Sequence, residues 1–282
     1  MESIEIKAKR SIKDSVFTDI FKDPKNLLKL YKALHPDDNS IEIDDLSIVT
    51  ISNILTTGVY NDLGFMAGDH LLILIEAQST WSVNIVVRIL EYLAHTYNQY
   101  FTDKGIDLYG SKIANLPKPE LYVIYTGDRK ERPEYISFKE EFFKNEDIPI
   151  EVKVKVIYDS TSGDILNQYI AFTKICDEQV RKYGRTKQAV EETIRICQDK
   201  NILKEYLDSR KKEVIDIMVA LYDEQEILDR FVSSREKESK IKGNIEAYQD
   251  AGLTREETEG KIIKRYQLSP EEASEKVNLY WI

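Results

Sequence analysis

At 282 residues the chain is long enough for one large domain or two smaller ones. A composition of 42% hydrophobic and 32% charged residues excludes intrinsic disorder, and no run approaches the roughly 20 apolar residues of a membrane span. The net charge of −10 argues against tight non-specific nucleic-acid binding, which needs phosphate neutralisation, but leaves room for a local basic rim.

The opening MESIEIKAKR has no apolar segment of the signal type, and Cys176 and Cys197 do not make a disulfide framework. The expectation is a cytoplasmic protein with two free thiols. Residues 11–35 carry helical spacing at Val16, Ile20, Leu27, Leu28, Tyr31 and Leu34, broken at Asp23-Pro24, which predicts two short helices. Asp14 sits at the start of the first, where the helix dipole favours a carboxylate; a place near a metal is the alternative reading. Residues 36–45 form an acidic loop, and 46–55 read as a strand rich in Ile and Val.

Two extended runs follow, the first ending near Ala67 and the second beginning at His70, joined by a Gly68-Asp69 turn. Leu71–Ile75 is continuously apolar, the pattern of a strand buried on both faces. It turns polar at Glu76 and Gln78, two residues apart and therefore on one face. A carboxylate at the end of a buried strand needs a metal, a cation or hydrogen-bond donors. Asp62 lies fourteen positions before Glu76, and the hairpin is expected to bring the two level.

Residues 82–101 predict a helix with a core stripe at Ile85, Ile89, Leu93 and Tyr97; Arg88 and Tyr92 lie one turn apart on a neighbouring face. His35, His70 and His95 show no zinc spacing. Residues 121–126 read as a strand, followed by the basic RKERP of 129–133, a solvated loop or a DNA-facing rim. Residues 152–158 alternate Val with Lys, as at a half-exposed sheet edge. From 165 onward only helical patterns appear, with capping boxes at Thr254–Glu257 and Ser269–Glu272.

The ordered set of Asp62, Glu76 and Gln78 on a hydrophobic hairpin resembles the PD-(D/E)XK nuclease core, and most closely its Rpn-type branch of recombination-promoting, transposase-like nucleases. DSVFTDIF at Asp14–Phe21, EAQSTWS with RILEY at Arg88–Tyr92, LYVIYTGD and VKVKVIYD extend the resemblance over residues 10–230. The chain departs from the pattern at Asn61, where the family has Pro, and at Gln78, where many members have Lys.

The resemblance implies an α/β, restriction-endonuclease-like core of α-β-β-β-α-β order, a mixed sheet flanked by helices in residues 1–163, with an all-helical extension in 164–282. It implies a metal-dependent DNA endonuclease in which Asp62, Glu76 and the Ala77 carbonyl hold Mg²⁺ or Mn²⁺ and Gln78 orients the attacking water. Arg88, Tyr92 and Asp14 would support the site, with Arg88 standing in for the missing lysine charge. The implied partners are DNA and a second copy of the chain, with no membrane. Two other readings stay open: a catalytically silent nuclease-fold binding module acting through its helical C-terminal region, and a helical scaffold in 165–282 with a merely structural core.

Overall fold

The computed structural model describes residues 16–49, 62–77, 81–144 and 146–281. Asp14, Asn61 and Gln78, and the part of the expected 46–55 strand from 50 onward, lie outside the described residues.

Two short helices open the described chain, α1 (Val16–Phe21) and α2 (Pro24–Leu34). The break expected at Asp23-Pro24 is a cap: the Asp23 carboxylate accepts from the backbone N–H groups of Lys25 and Asn26 at 2.8 and 3.2 Å, and Pro24 supplies a first turn that needs no donor. Strands β1 (Leu46–Val49), β2 (Asp62–Ala67) and β3 (His70–Ala77) form an antiparallel meander. Helix α3 (Ile85–Lys104) then crosses to β4 (Lys118–Tyr125), which runs parallel to β3. Next come β5 (Tyr135–Ser137), α4 (Phe138–Phe143) and β6 (Lys153–Ile157), with β6 parallel to β4 and β5 antiparallel to β6. Among the described residues this is a six-stranded mixed sheet in the order β1-β2-β3-β4-β6-β5.

The α-β-β-β-α-β order matches the expectation, and the strand at 152–158 does not sit where its lysines suggested. β6 is interior, and the edge is the three-residue β5, which is too short to leave a pattern in the sequence. Val154 and Val156 are buried while Lys153 is exposed, so the alternation reports two different faces rather than an edge. Pro119 is tolerated in β4 because β6 pairs with it only from Tyr122 onward.

One face of the sheet packs on α3. Leu71, Val123, Tyr125, Val154 and Val156 meet Ile85, Val86, Ile89 and Tyr92 in a single apolar cluster. Each such side chain taken fully from water contributes about 1.5–3 kcal/mol. α3 ends at Gly105 in the left-handed conformation (φ 62°), which explains why it outruns the expected end at 101.

Helices α5 (Ile165–Tyr183), α6 (Lys187–Asp199), α7 (Lys204–Asp250), α8 (Arg255–Tyr266) and α9 (Pro270–Tyr280) complete the chain, with α7 interrupted at Arg210 (φ −130°, ψ 26°). The described residues fall into two compact units that divide between Leu221 and Tyr222. That division lies well beyond the 163/164 boundary drawn from sequence. α5 belongs with the sheet unit because the Phe17 and Tyr169 rings pack 5.0 Å apart and α5 packs on α2. The second unit has its own core of Ile241, Ile245, Ile262, Ala273 and Val277, and its α8 and α9 start at the two capping boxes expected from sequence. None of the described helices is long and apolar enough to cross a membrane.

Candidate functional site

Three parallel strands, β3, β4 and β6, end on the same side of the sheet, and open α/β sheets gather ligands at the carboxyl ends of such strands. Glu76 and Ala77 are the last residues of β3, level with Ile124 and Tyr125 of β4.

The Asp62–Glu76 pairing expected from sequence is not the register found. Ala67 pairs with His70 across the two-residue Gly68-Asp69 turn, with Gly68 at φ +59°, and counting back sets Asp62 opposite Ile75. Loop length fixes hairpin register, so a two-residue turn leaves Asp62 one step short of Glu76. The ladder is regular through Asp62↔Ile75, so Asp62 is one register step from Glu76, and adjacent strand positions alternate faces. The side chains of Asp62 and Glu76 lie outside the described part of the structure.

Arg88 is exposed in the first turns of α3, where it makes a contact of its own, and Tyr92 is buried in the cluster between α3 and the sheet. Among the described residues no group of three or more His, Cys, Asp or Glu side chains is placed to hold a metal ion. The donor set implied by the resemblance, two carboxylates and a carbonyl, is all oxygen, which fits Mg²⁺ or Mn²⁺ in kind.

Around the same end of the sheet stands a rim of cations and rings. Trp81 packs edge-on to Tyr125 at 5.4 Å, and Tyr125 to Tyr158 at 5.9 Å. The Arg129 guanidinium lies over the Trp81 ring at 4.3 Å, and Arg132 over Tyr158 at 5.3 Å. Asp159, just past β6, takes Lys174 of α5 at 2.7 Å and Arg132 at 2.8 Å. The Lys174 hydrogen bond, followed by the nearby charges, outweighs burial and holds the Asp159 carboxyl below its usual range. Burial and the neighbouring Asp128 push Asp177 the other way, against Arg181. The basic RKERP run noticed in the sequence therefore supplies two of this rim's cations.

The opposite end of β4 carries a constellation that the sequence did not disclose. The Glu120 carboxylate accepts from His35 Nε2 at 2.7 Å, His70 Nδ1 at 2.6 Å and the Tyr122 hydroxyl at 2.7 Å. Three elements meet there: the C-cap of α2, the start of β3 and the start of β4. Burial pushes the Glu120 carboxyl up, but the Tyr122 hydrogen bond and the two histidines bring it net below 4.5. Next to it the Tyr31 ring stacks on His35 at 4.5 Å and its hydroxyl donates to Asp38 at 2.6 Å. Hydrogen bonds from Ser40 and Tyr31 draw Asp38 down to about 2. The cluster depends on the β3–β4 register, in which His70 pairs with Lys118 and Glu120 stands two positions further along the neighbouring strand, and nothing in the sequence marks that register.

Of the two cysteines, Cys197 is buried and Cys176 half-buried, neither in a disulfide, and burial pushes the Cys197 thiol up to about 12. Comparison with known proteins finds no matching family model, no matching curated protein and no matching solved structure.

Proposed function

We propose that this chain is a divalent-metal-dependent endodeoxyribonuclease of the recombination-promoting, transposase-like kind, with a restriction-endonuclease-like core. The observation that carries the reading is the position of Glu76-Ala77 at the carboxyl end of β3, with Asp62 on the hairpin partner strand and parallel β4 and β6 alongside. Asp62, Glu76 and the Ala77 carbonyl would hold the cation, which when bound supplies charge neutralisation at the phosphate and acidifies a water molecule. Gln78 offers an amide to orient that water but no positive charge, so a cation must come from elsewhere; Arg88 is the candidate from sequence. The reading requires the β2–β3 pairing to shift locally at Asp62 when the ion binds, because the regular ladder leaves it one step from Glu76.

The test is nicking of supercoiled plasmid with Mg²⁺ or Mn²⁺, wild type beside Asp62→Ala. Wild-type nicking that the substitution abolishes supports the assignment; equal residual activity in both points to a contaminating nuclease and rejects it. Gln78 and the net charge of −10 favour a second reading, a silent nuclease-fold module that binds a partner through its helical C-terminal part. A wild type that cuts neither DNA nor RNA selects that one.

A further inference from the structure

We propose that Arg129, held against Trp81 beyond the carboxyl end of β4, is a phosphate-binding cation for a nucleic-acid backbone, and that Trp81 is its positioning residue. The proposal rests on the nuclease reading above and names a contact that reading lacks.

The geometry starts with the stack. The Arg129 guanidinium sits 4.3 Å from the Trp81 ring centroid. A guanidinium lying on a ring gives up only its flat face and keeps its N–H donors, which point outward in the plane. Those donors are poorly used. Nε is buried and makes no hydrogen bond; the acceptor nearest to it in an ion pair is Glu131 Oε2, 3.4 Å away on a side chain that is 76% exposed. An exposed pair of that length is weak and screened by salt. A buried donor that makes only a long ion pair recovers little of its desolvation cost, and an anionic oxygen at hydrogen-bond distance in the guanidinium plane would recover more.

Two other cations at this end of the sheet are committed to a carboxylate. Arg132 binds the Asp159 carboxylate at 2.8 Å, and Lys174 binds the same residue at 2.7 Å. Arg88 has a contact of its own. Arg129 is the cation whose present partner is easiest to exchange, and its side chain is 30% exposed, enough to be reached.

Its anchorage points to the reacting end of the sheet. Trp81 packs on Tyr125, and Tyr125 is level with Ala77 on the neighbouring strand. Trp81 also follows Gln78 by three residues in the chain. A phosphate held by Arg129 therefore lies at the end of the strand that carries Glu76-Ala77. The positive charge missing at Gln78 would then come from the loop after β4 rather than from α3.

The experiment uses the full chain in a Trp281→Phe background, which leaves Trp81 as the remaining one of the two tryptophans. A fluorescein-labelled oligonucleotide is titrated in EDTA, so that no cleavage occurs, and anisotropy is read at several salt concentrations beside Trp81 emission. The expected result is binding accompanied by a change in Trp81 emission. Arg129→Gln should weaken affinity about tenfold and reduce the log–log salt slope by roughly 0.7–0.9, the contribution of one phosphate contact. Trp81→Leu should weaken binding similarly and Trp81→Phe should restore most of it, since a ring is what holds the guanidinium. Unchanged affinity and slope in Arg129→Gln overturn the proposal, and so does a wild type that does not bind. Plasmid nicking is read separately. Binding that depends on Arg129 in a protein that never nicks rejects the nuclease reading alone. Nicking with Arg129-independent binding rejects the phosphate contact alone.

Discussion

At the amino end of β4, Glu120 accepts three hydrogen bonds from His35, His70 and Tyr122, and its side chain is 15% exposed. At the carboxyl end, Arg129 lies on Trp81 with a buried Nε that makes no hydrogen bond and only a 3.4 Å ion pair with exposed Glu131. Titratable groups gather at both ends of β4, yet one end is closed and the other is open. A carboxylate with its lone pairs taken by neighbours ties elements together and has little left to offer a ligand. A cation with unused in-plane donors is costly to keep and is retained where something else will use it. On that ground the cluster at the amino end is a fastening between α2, β3 and β4, and the one beside Glu76-Ala77 is where chemistry is proposed.

The sharpest break of this contrast comes from the motif carboxylates. Asp62→Ala or Glu76→Ala should abolish plasmid nicking, because one remaining carboxylate holds too little charge for the ion. Melting temperature should stay within a few degrees of wild type. A variant that unfolds would make these residues part of the fabric, like Glu120, and erase the distinction between the two ends.

Next in size is Gln78. If it orients water, Gln78→Ala should lose about two to three decades of initial nicking rate at saturating metal, the usual range for a lost donor in a desolvated site. Gln78→Lys should retain or raise the rate by restoring the charge. Arg88→Ala distinguishes two sources for that charge: a large loss favours α3, and little loss favours the loop that carries Arg129. Wild-type rates in Gln78→Ala would reduce Gln78 to a polar residue at a strand exit.

Glu120→Ala sharpens the comparison from the other side. It leaves two imidazoles and a phenol without their shared acceptor and should cost about 2–4 kcal/mol. For a unit of this size that is roughly 5–15 °C in melting temperature, read by calorimetry or circular dichroism. Nicking per folded molecule should be unchanged at a temperature where the variant is folded. Loss of nicking without loss of stability would make the amino end functional.

The same two ends account for what was legible in the sequence. The carboxyl end announced itself because its signals are local: an apolar run that stops at Glu76, a basic run after a strand, and a helix with a clean four-residue repeat. β3 spans His70–Ala77 and α3 spans Ile85–Lys104, close to the expected start at His70 and the expected helix over 82–101. The amino end was invisible because His35, His70 and Glu120 come from three elements, and only the β3–β4 register and the α2 packing bring them together. Register also decided the main correction. Asp62 and Glu76 are fourteen residues apart, and whether that separation makes them level depends on a turn of two residues or three. β5 and the assignment of α5 to the sheet unit were lost for different reasons: three residues carry no period, and helical patterning does not say which surface a helix covers.

The smallest effect expected is also the most specific to the closed end. Tyr122→Phe removes one hydroxyl, which donates to Glu120 Oε2 at 2.7 Å from a ring that is 6% exposed. The ring still fills its place in the core, so the cost is that of one hydrogen bond to a charged acceptor, about 1.5 kcal/mol or roughly 3–6 °C. Its dependence on pH carries the argument. Glu120 is held below 4.5 in the folded protein, despite burial, by this hydroxyl and the two histidines. A carboxyl whose folded pKa is depressed stabilises the fold above its unfolded value, and that contribution is lost as pH falls through the folded value. Removing the hydroxyl lets the folded value rise toward 4.5, which shrinks the contribution. The gap in melting temperature between wild type and Tyr122→Phe should therefore be full at neutral pH and should narrow as pH drops below 4.5. A protonated Glu120 still accepts from Tyr122, so a remnant of about one neutral hydrogen bond should survive in acid. A gap that is constant across that window would mean that the hydroxyl does not act on the charge of Glu120. A gap that widens in acid would mean that Glu120 is not the group it serves.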